Sequence, residues 1–325
     1  MIVLDCTLRD SGYYNNWEFS LTLANKYLKG IEKSKINGIE VGFRNPLKSD
    51  KTFGNVTDNF IRDNLYIPNV EYFGVMINTA GTSYKDIKKI FSYVDNSPIN
   101  LVRAATHFKN IESAENICKE LKNLGYTTTC NLMQAADKSY DEIRTGAKKL
   151  QKWGCIDVLY LADSLGGMNH DSVNYSFKAI KEGWDGLTGF HGHNNKSNAL
   201  SNSLEAVDIG VDWIDATVNG AGRGPGNTEM EYLLYELNKR NYEFNINPIY
   251  ILSLNEFQCL KDEFKWGPSL LYYLSAEYNI HPTYIQKMLI SGYSMDKILE
   301  SILYLKNKES NSFNNKLMKE SLNVR

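Results

Sequence analysis

The sequence predicts a (β/α)₈ barrel followed by a small C-terminal helical region, and three observations carry that expectation. Short β-branched runs recur, each followed by an amphipathic stretch, which is the alternation of βα units around a parallel sheet. Eight such runs can be counted along the chain. At 325 residues the chain exceeds the ~250 of a typical barrel, and after Lys239 the alternation stops.

Taken in order, the candidate strands are Ile2 to Leu8, Gly38 to Phe43, Tyr72 to Ile77, Leu101 to Thr106, Thr127 to Leu132, Asp157 to Leu161, Gly189 to His193 and Trp213 to Val218. Between them Ile111, Ala114, Cys118 and Leu121 recur at helical spacing, as do Ile143, Ala147 and Leu150, and Leu200, Leu204 and Val207, each an apolar stripe to lay on the sheet. Lys51 to Asn69 is the weakest repeat, so that unit is expected to be distorted. Residues 249–305 read as helical, with Pro268 and Pro282 placed where helices begin. The expected organisation is a barrel over 1–245, a helical region over 246–305 and a loose polar tail over 306–325. The tail is rich in Asn, Ser, Lys and Glu, a composition that buries too little to order itself.

Lys and Arg total 36 against 38 for Asp and Glu, so no strong field draws the chain to nucleic acid or an anionic membrane. A small-molecule partner is expected, and a homo-oligomer is left open. The five cysteines form no CxxC pair and no regular spacing, which argues against a disulfide framework or zinc knuckle. Ile2-Val3-Leu4 is too short for a signal sequence, and no apolar run approaches the ~20 residues of a membrane span. The expectation is a soluble, cytoplasmic protein.

In such a barrel chemistry gathers at the C-terminal strand ends. Arg9 and Asp10 are expected to end the first strand, with Glu40 and Arg44 flanking the end of the second and His107 after the fourth. Asp163 and Ser164 follow the sixth, His191 and His193 lie on the seventh, and Asn219 follows the eighth. Side chains two apart on a strand share a face, so His191 and His193 point the same way and can chelate. With the Asp10 carboxylate they make a two-nitrogen, one-oxygen site suited to Mn²⁺, Mg²⁺, Co²⁺, Fe²⁺ or Zn²⁺ acting as a Lewis acid. The glycine-rich run Gly220 to Asn227 precedes a helix and could approach a ligand closely. Asn227 is equally readable as a helix cap or as an additional metal or supporting ligand.

With these residues in view the chain resembles the DRE-TIM metallolyases, above all the pyruvate-dependent 4-hydroxy-2-oxovalerate aldolases. Asp5-Cys-Thr-Leu-Arg-Asp10 corresponds to the D-x-T-L-R-D signature, and Val102-Arg-Ala-Ala-Thr-His107 to V-R-x-A-T-H. Asp163-Ser-Leu-Gly166 corresponds to D-S-x-G, His191-Gly-His-Asn-Asn195 to H-x-H-N-N, and Gly220 to Asn227 to the loop ending in Gly-Asn. The resemblance implies a metal on Asp10, His191 and His193, with Mn²⁺ first among the candidates. It implies a substrate site at Arg9, Ser164 and Gly222, with Arg9 facing a developing enolate. The implied partners are a 2-oxo acid and an aldehyde. The segments Trp266 to Tyr273 and Ile280 to Tyr284 are similar to the family's C-terminal helical region, which in the aldolases meets an aldehyde dehydrogenase; here it is short, and no such partner is assumed.

Two departures bear on the acid/base step. Ser11 stands where the family has Gly, and Tyr13 where the aldolases have a catalytic His. Tyr13, which reads equally as proton donor and as aromatic wall, is therefore joined by His107 and Tyr14 as candidates. Two rival readings follow. An acyl-CoA Claisen-type lyase or synthase is disfavoured because the glycine-rich loop lacks the cysteine of the hydroxymethylglutaryl-CoA lyases. A catalytically silent barrel serving as a binding subunit is disfavoured by the intact Arg, Asp and two His.

Overall fold

In the computed structural model, which describes residues 1–49 and 52–323, eight parallel strands close into a barrel in chain order. They are β1 (Ile2–Asp5), β2 (Gly38–Phe43), β3 (Tyr72–Asn78), β4 (Leu101–His107), β5 (Thr127–Met133), β6 (Val158–Asp163), β7 (Leu187–Gly192) and β8 (Trp213–Ala216). Closure is made by β1 on β8, with Val3 opposite Ile214 and Asp5 opposite Ala216. The predicted stripes Ile111, Ala114, Cys118, Leu121 and Ile143, Ala147, Leu150 lie buried against the sheet. Leu200, Leu204 and Val207 are only half-buried: the helix Ala199–Asp208 turns the smaller Ala199, Asn202, Ser203 and Ala206 inward instead.

The first strand is shorter than its apolar run suggested. Asp5 Oδ1 accepts from the Thr7 backbone N–H at 2.8 Å, the chain turns, and Thr7–Ser11 forms a helical turn. Arg9 and Asp10 therefore sit on a helical turn, not on a strand. The last strand likewise stops at Ala216, and Asn219 adopts a left-handed conformation at φ 56°. The expected weak unit begins at Lys51, outside the described residues; beyond it one short helix, Asp58–Asn64, is capped by Thr57.

After the barrel, helices from Asn247 to Phe264 join the barrel core. A second core gathers Tyr272, Ile280, Tyr284, Met288, Ile298 and Ile302. The expected loose tail is a correction: Asn315–Leu322 is a helix whose Leu317, Met318 and Leu322 pack on this second core. Its composition is polar, but its few apolar residues, with Phe313, fall on one side. This helical unit docks over the strand ends, Gln134 Nε2 donating to Asn311 O at 2.8 Å. Lys196 meets Glu277 at 2.8 Å. No helix among the described residues is long and apolar enough to cross a membrane.

Candidate metal centre and active site

A cavity of about 210 Å³ opens at the C-terminal strand ends, with Arg9, Asp10, His191 and His193 in its wall. The barrel interior beneath explains why charges can stand there. Leu4, Leu101, Val158 and Trp213 form an apolar floor. Above it lie Glu40, Arg103 and Asp215, all buried. Arg103 pairs with Glu40 Oε2 at 3.0 Å and Asp215 Oδ2 at 2.7 Å, and its guanidinium lies 4.4 Å from the Tyr160 ring centre. Arg9 donates through Nε to Glu40 and through Nη1 to Asp10. The result is an alternating chain of charge from Asp10 through Arg9, Glu40 and Arg103 to Asp215, each group compensated as burial requires.

The two imidazoles are oriented from behind. Register sets β7 beside β8 at Phe190 and Ile214, which brings His191 next to Asp215; His191 Nδ1 meets Asp215 Oδ2 at 2.9 Å. His193, one residue past the end of β7, has Nδ1 2.9 Å from the Asp163 carbonyl. Both rings thus turn Nε2 toward Asp10 Oδ2, 3.9 Å away in each case. Ligand atoms of the three residues all lie within 4.8 Å of one another. His191 Nε2 is buried and makes no hydrogen bond, an orphan lone pair that a cation would satisfy, so the residues fit a divalent metal. A second grouping of Cys6, His191 and Asp215 competes for the same ring, but its carboxylate is already held by Arg103.

Burial works against charge on Asp10, yet Arg9 and the two histidines hold its carboxyl well below the usual range. Desolvation, with His191 alongside, pushes His193 down to about 3, so its ring stays neutral. Asn227 Nδ2 donates to Asp10 Oδ2 at 2.5 Å and to Ala221 O at 3.0 Å. Its amide nitrogen, not its oxygen, faces the centre. Gly222 makes that approach possible: a Cβ there would stand 2.1 Å from Asn227 Nδ2 and 3.0 Å from Asp10 Oδ2. Gly222 abuts Asn227 and Asp10 and is not itself in the cavity wall, whereas Ser164 is.

The acid/base candidates separate. Tyr13 is in the wall, packed on Trp17 with ring centres 4.8 Å apart. Although 39% of Tyr13 is exposed, desolvation raises its hydroxyl above the ordinary value. His107 is also in the wall, its Nδ1 3.2 Å from Gln134 Oε1. Tyr14 turns away, donating to Gly224 O at 3.2 Å and stacking on Phe264. Arg44 and Asn219 are elsewhere too: Arg44 pairs with Asp58 at 2.7 Å, and Asn219 ties the last loop to Gln258 and Trp266. The Asp163 carboxylate faces its own loop, accepting from the Gly167 and Met168 amides at 3.1 Å.

Two titratable wall residues, Arg223 and His281, were not singled out from the sequence. Arg223 lies within the glycine-rich loop, its guanidinium 5.3 Å from the Tyr13 ring centre. His281 arrives from the C-terminal helices. Burial, with Arg223 as the next cause, pushes it down to about 2, so the ring is neutral.

Comparison with known proteins gives a consistent picture. The HMGL-like family model matches residues 1–257. A 4-hydroxy-2-oxovalerate aldolase from Brevibacillus brevis is 25% identical over 79% of this chain and 75% of that protein. An oxaloacetate decarboxylase from Mycobacterium tuberculosis is 25% identical over 74% of this chain and 71% of its own length. Among solved structures, the N-terminal domain of a provisionally named aldolase from Bacteroides vulgatus is 30% identical. That structure covers 92% of this chain and is matched over 99% of its own, with a TM-score of 0.83.

Proposed function

The chain belongs to the HMGL-like family, and from that premise we propose that it is a divalent-metal-dependent lyase of the aldolase type, joining pyruvate to an aldehyde or releasing it from one. The observation that carries this reading is the convergence of the His191 and His193 Nε2 atoms on the Asp10 carboxylate, with Arg9 beside it. A cation held by these three residues would supply Lewis-acid stabilisation of an enolate oxygen. Mn²⁺ is the first candidate, with Mg²⁺, Co²⁺ and Zn²⁺ as alternatives.

The chain's own residues supply the rest. Arg9, held in place by Glu40, presents fixed positive charge where the C3 carbanion of a 2-oxo acid delocalises onto oxygen. Tyr13 keeps its proton at neutral pH, which fits it to protonate the aldehyde oxygen as the new carbon–carbon bond forms. His107 is the alternative group for that transfer. Ser164 lines the substrate cavity and is the proposed polar contact for the 2-oxo acid. The same enolate also underlies decarboxylation of oxaloacetate, the activity named for one relative.

Deuterium incorporation at C3 of pyruvate in D₂O tests the reading without knowledge of the aldehyde. The Mn²⁺-loaded protein is expected to exchange C3 protons and the metal-free protein not to. Exchange no faster than buffer with metal bound would reject pyruvate and return attention to another 2-oxo acid, an acyl-CoA or a silent barrel.

A further inference from the structure

We propose that the aldehyde partner carries an anionic end, a carboxylate or a phosphate, which Arg223 binds as an ion pair while His281 donates a hydrogen bond to it. The proposal rests on the aldol reading above for the word aldehyde, but the anion site itself rests on the geometry of the cavity.

The buried arginines show what this fold does with guanidinium groups. Arg9 is answered by Asp10 and Glu40, Arg44 by Asp58, and Arg103 by Glu40 and Asp215. Arg223 has no carboxylate within ion-pair distance among the described residues, and its Nε is buried without a hydrogen bond. Its guanidinium lies over the face of Tyr13. Among the described residues the only acid in the cavity wall is Asp10, and Asp10 is taken by Arg9 and Asn227. A partly desolvated guanidinium without a counter-charge is costly, and a ligand anion is the usual remedy.

His281 is placed to help. Its Nδ1 accepts from the Thr283 backbone N–H at 3.3 Å, so in the neutral ring the proton is on Nε2 and the ring can donate. The groups that act on it are Arg223, His193 and His107, all on the cavity side. Asn131 and Gln134 add amides to the same wall. A short neutral aldehyde brings no charge to answer the Arg223 guanidinium, whereas an anionic terminus would satisfy Arg223 and His281 together.

The test is calorimetric titration of the full chain without added metal, so that no carboxylate or phosphate has a cation to bind. Succinic semialdehyde, glyceraldehyde 3-phosphate and butanal are the three probes. One or both anionic probes are expected to bind at least ~10-fold more tightly than butanal, the scale of a charge-assisted contact, and the tighter of the two identifies the anion. Arg223→Gln should remove that advantage, and Arg223→Lys, which keeps the charge, should restore most of it. His281→Ala should weaken anionic probes alone. Equal affinity for all three probes, or unchanged anion binding in Arg223→Gln with the fold intact by circular dichroism, overturns the proposal. Because no turnover is read, the result is separate from pyruvate exchange: exchange with no anion preference sinks this inference alone, and anion binding with no exchange sinks the aldol reading alone.

Discussion

His191 and Asp215 face each other across β7 and β8, Nδ1 to Oδ2 at 2.9 Å, and that contact decides which imidazole nitrogen reaches the cavity. With Nδ1 donating to the carboxylate, Nε2 carries the lone pair that points at Asp10. Asp215→Asn keeps the shape but no longer enforces the tautomer, so Mn²⁺ affinity should fall ~10- to 100-fold, as for other supporting ligands. His191→Ala or His193→Ala deletes a ligand outright and should abolish metal binding while circular dichroism still reports a barrel. Full metal occupancy in either alanine variant would reject the assignment.

The pairing of His191 with His193 was legible in the sequence because its signal is local: the two are two apart, and period two is enough to align them. The charge chain was not, because Glu40, Arg103 and Asp215 meet only once strand register is set. Arg223 and His281 were missed for a related reason. One sits among glycines that drew attention to backbone, the other in a helical region read for its packing, and nothing periodic links them. The tail misled by composition, since the average over 306–325 hides Phe313, Leu317, Met318 and Leu322, which together reach the second core.

Tyr13→Phe leaves the ring on Trp17 and under Arg223 and deletes only the oxygen. Turnover should drop while affinity for oxalate, a pyruvate analogue, stays within a few-fold. If kcat is unchanged, Tyr13 is a wall residue and His107 becomes the proton-transfer candidate.

Asp5 predicts a pH dependence of stability. Burial raises its carboxyl to about 6, against the hydrogen bonds from Tyr27 and Thr7. The folded protein therefore holds this proton more tightly than the unfolded chain, whose carboxyl titrates near ~3.9. The resulting stabilisation is full below about pH 4 and is lost as pH rises through 6. Asp5→Asn removes the titration, so the fall in stability between pH 4 and 7 should shrink by up to ~3 kcal/mol. Urea unfolding at pH 4.5, 6 and 7.5 reads it. Parallel profiles for the two proteins would show that Asp5 does not titrate in this window. Asp163, also raised to about 6 by burial, should leave a residual slope of the same sign.

Arg9 gives the sharpest separation of binding from chemistry. Its guanidinium spans two carboxylates, Nε on Glu40 and Nη1 on Asp10, and the planar fork is what allows both contacts at once. A lysine keeps the charge but satisfies one carboxylate at a time, leaving the group free to swing from where an enolate oxygen would sit. Asp10 would keep Asn227, His191 and His193 around it, so Mn²⁺ affinity in Arg9→Lys should change only a few-fold. The rate of C3 exchange should instead fall by ~10²-fold or more, the cost of losing one preorganised contact to a developing oxyanion. Proton NMR of pyruvate in D₂O, run on the metal-loaded wild type, the metal-free wild type and the metal-loaded variant, resolves the two effects. A variant that loses metal and exchange together would make Arg9 a support for Asp10 and nothing more. One that keeps both would remove Arg9 from the enolate step.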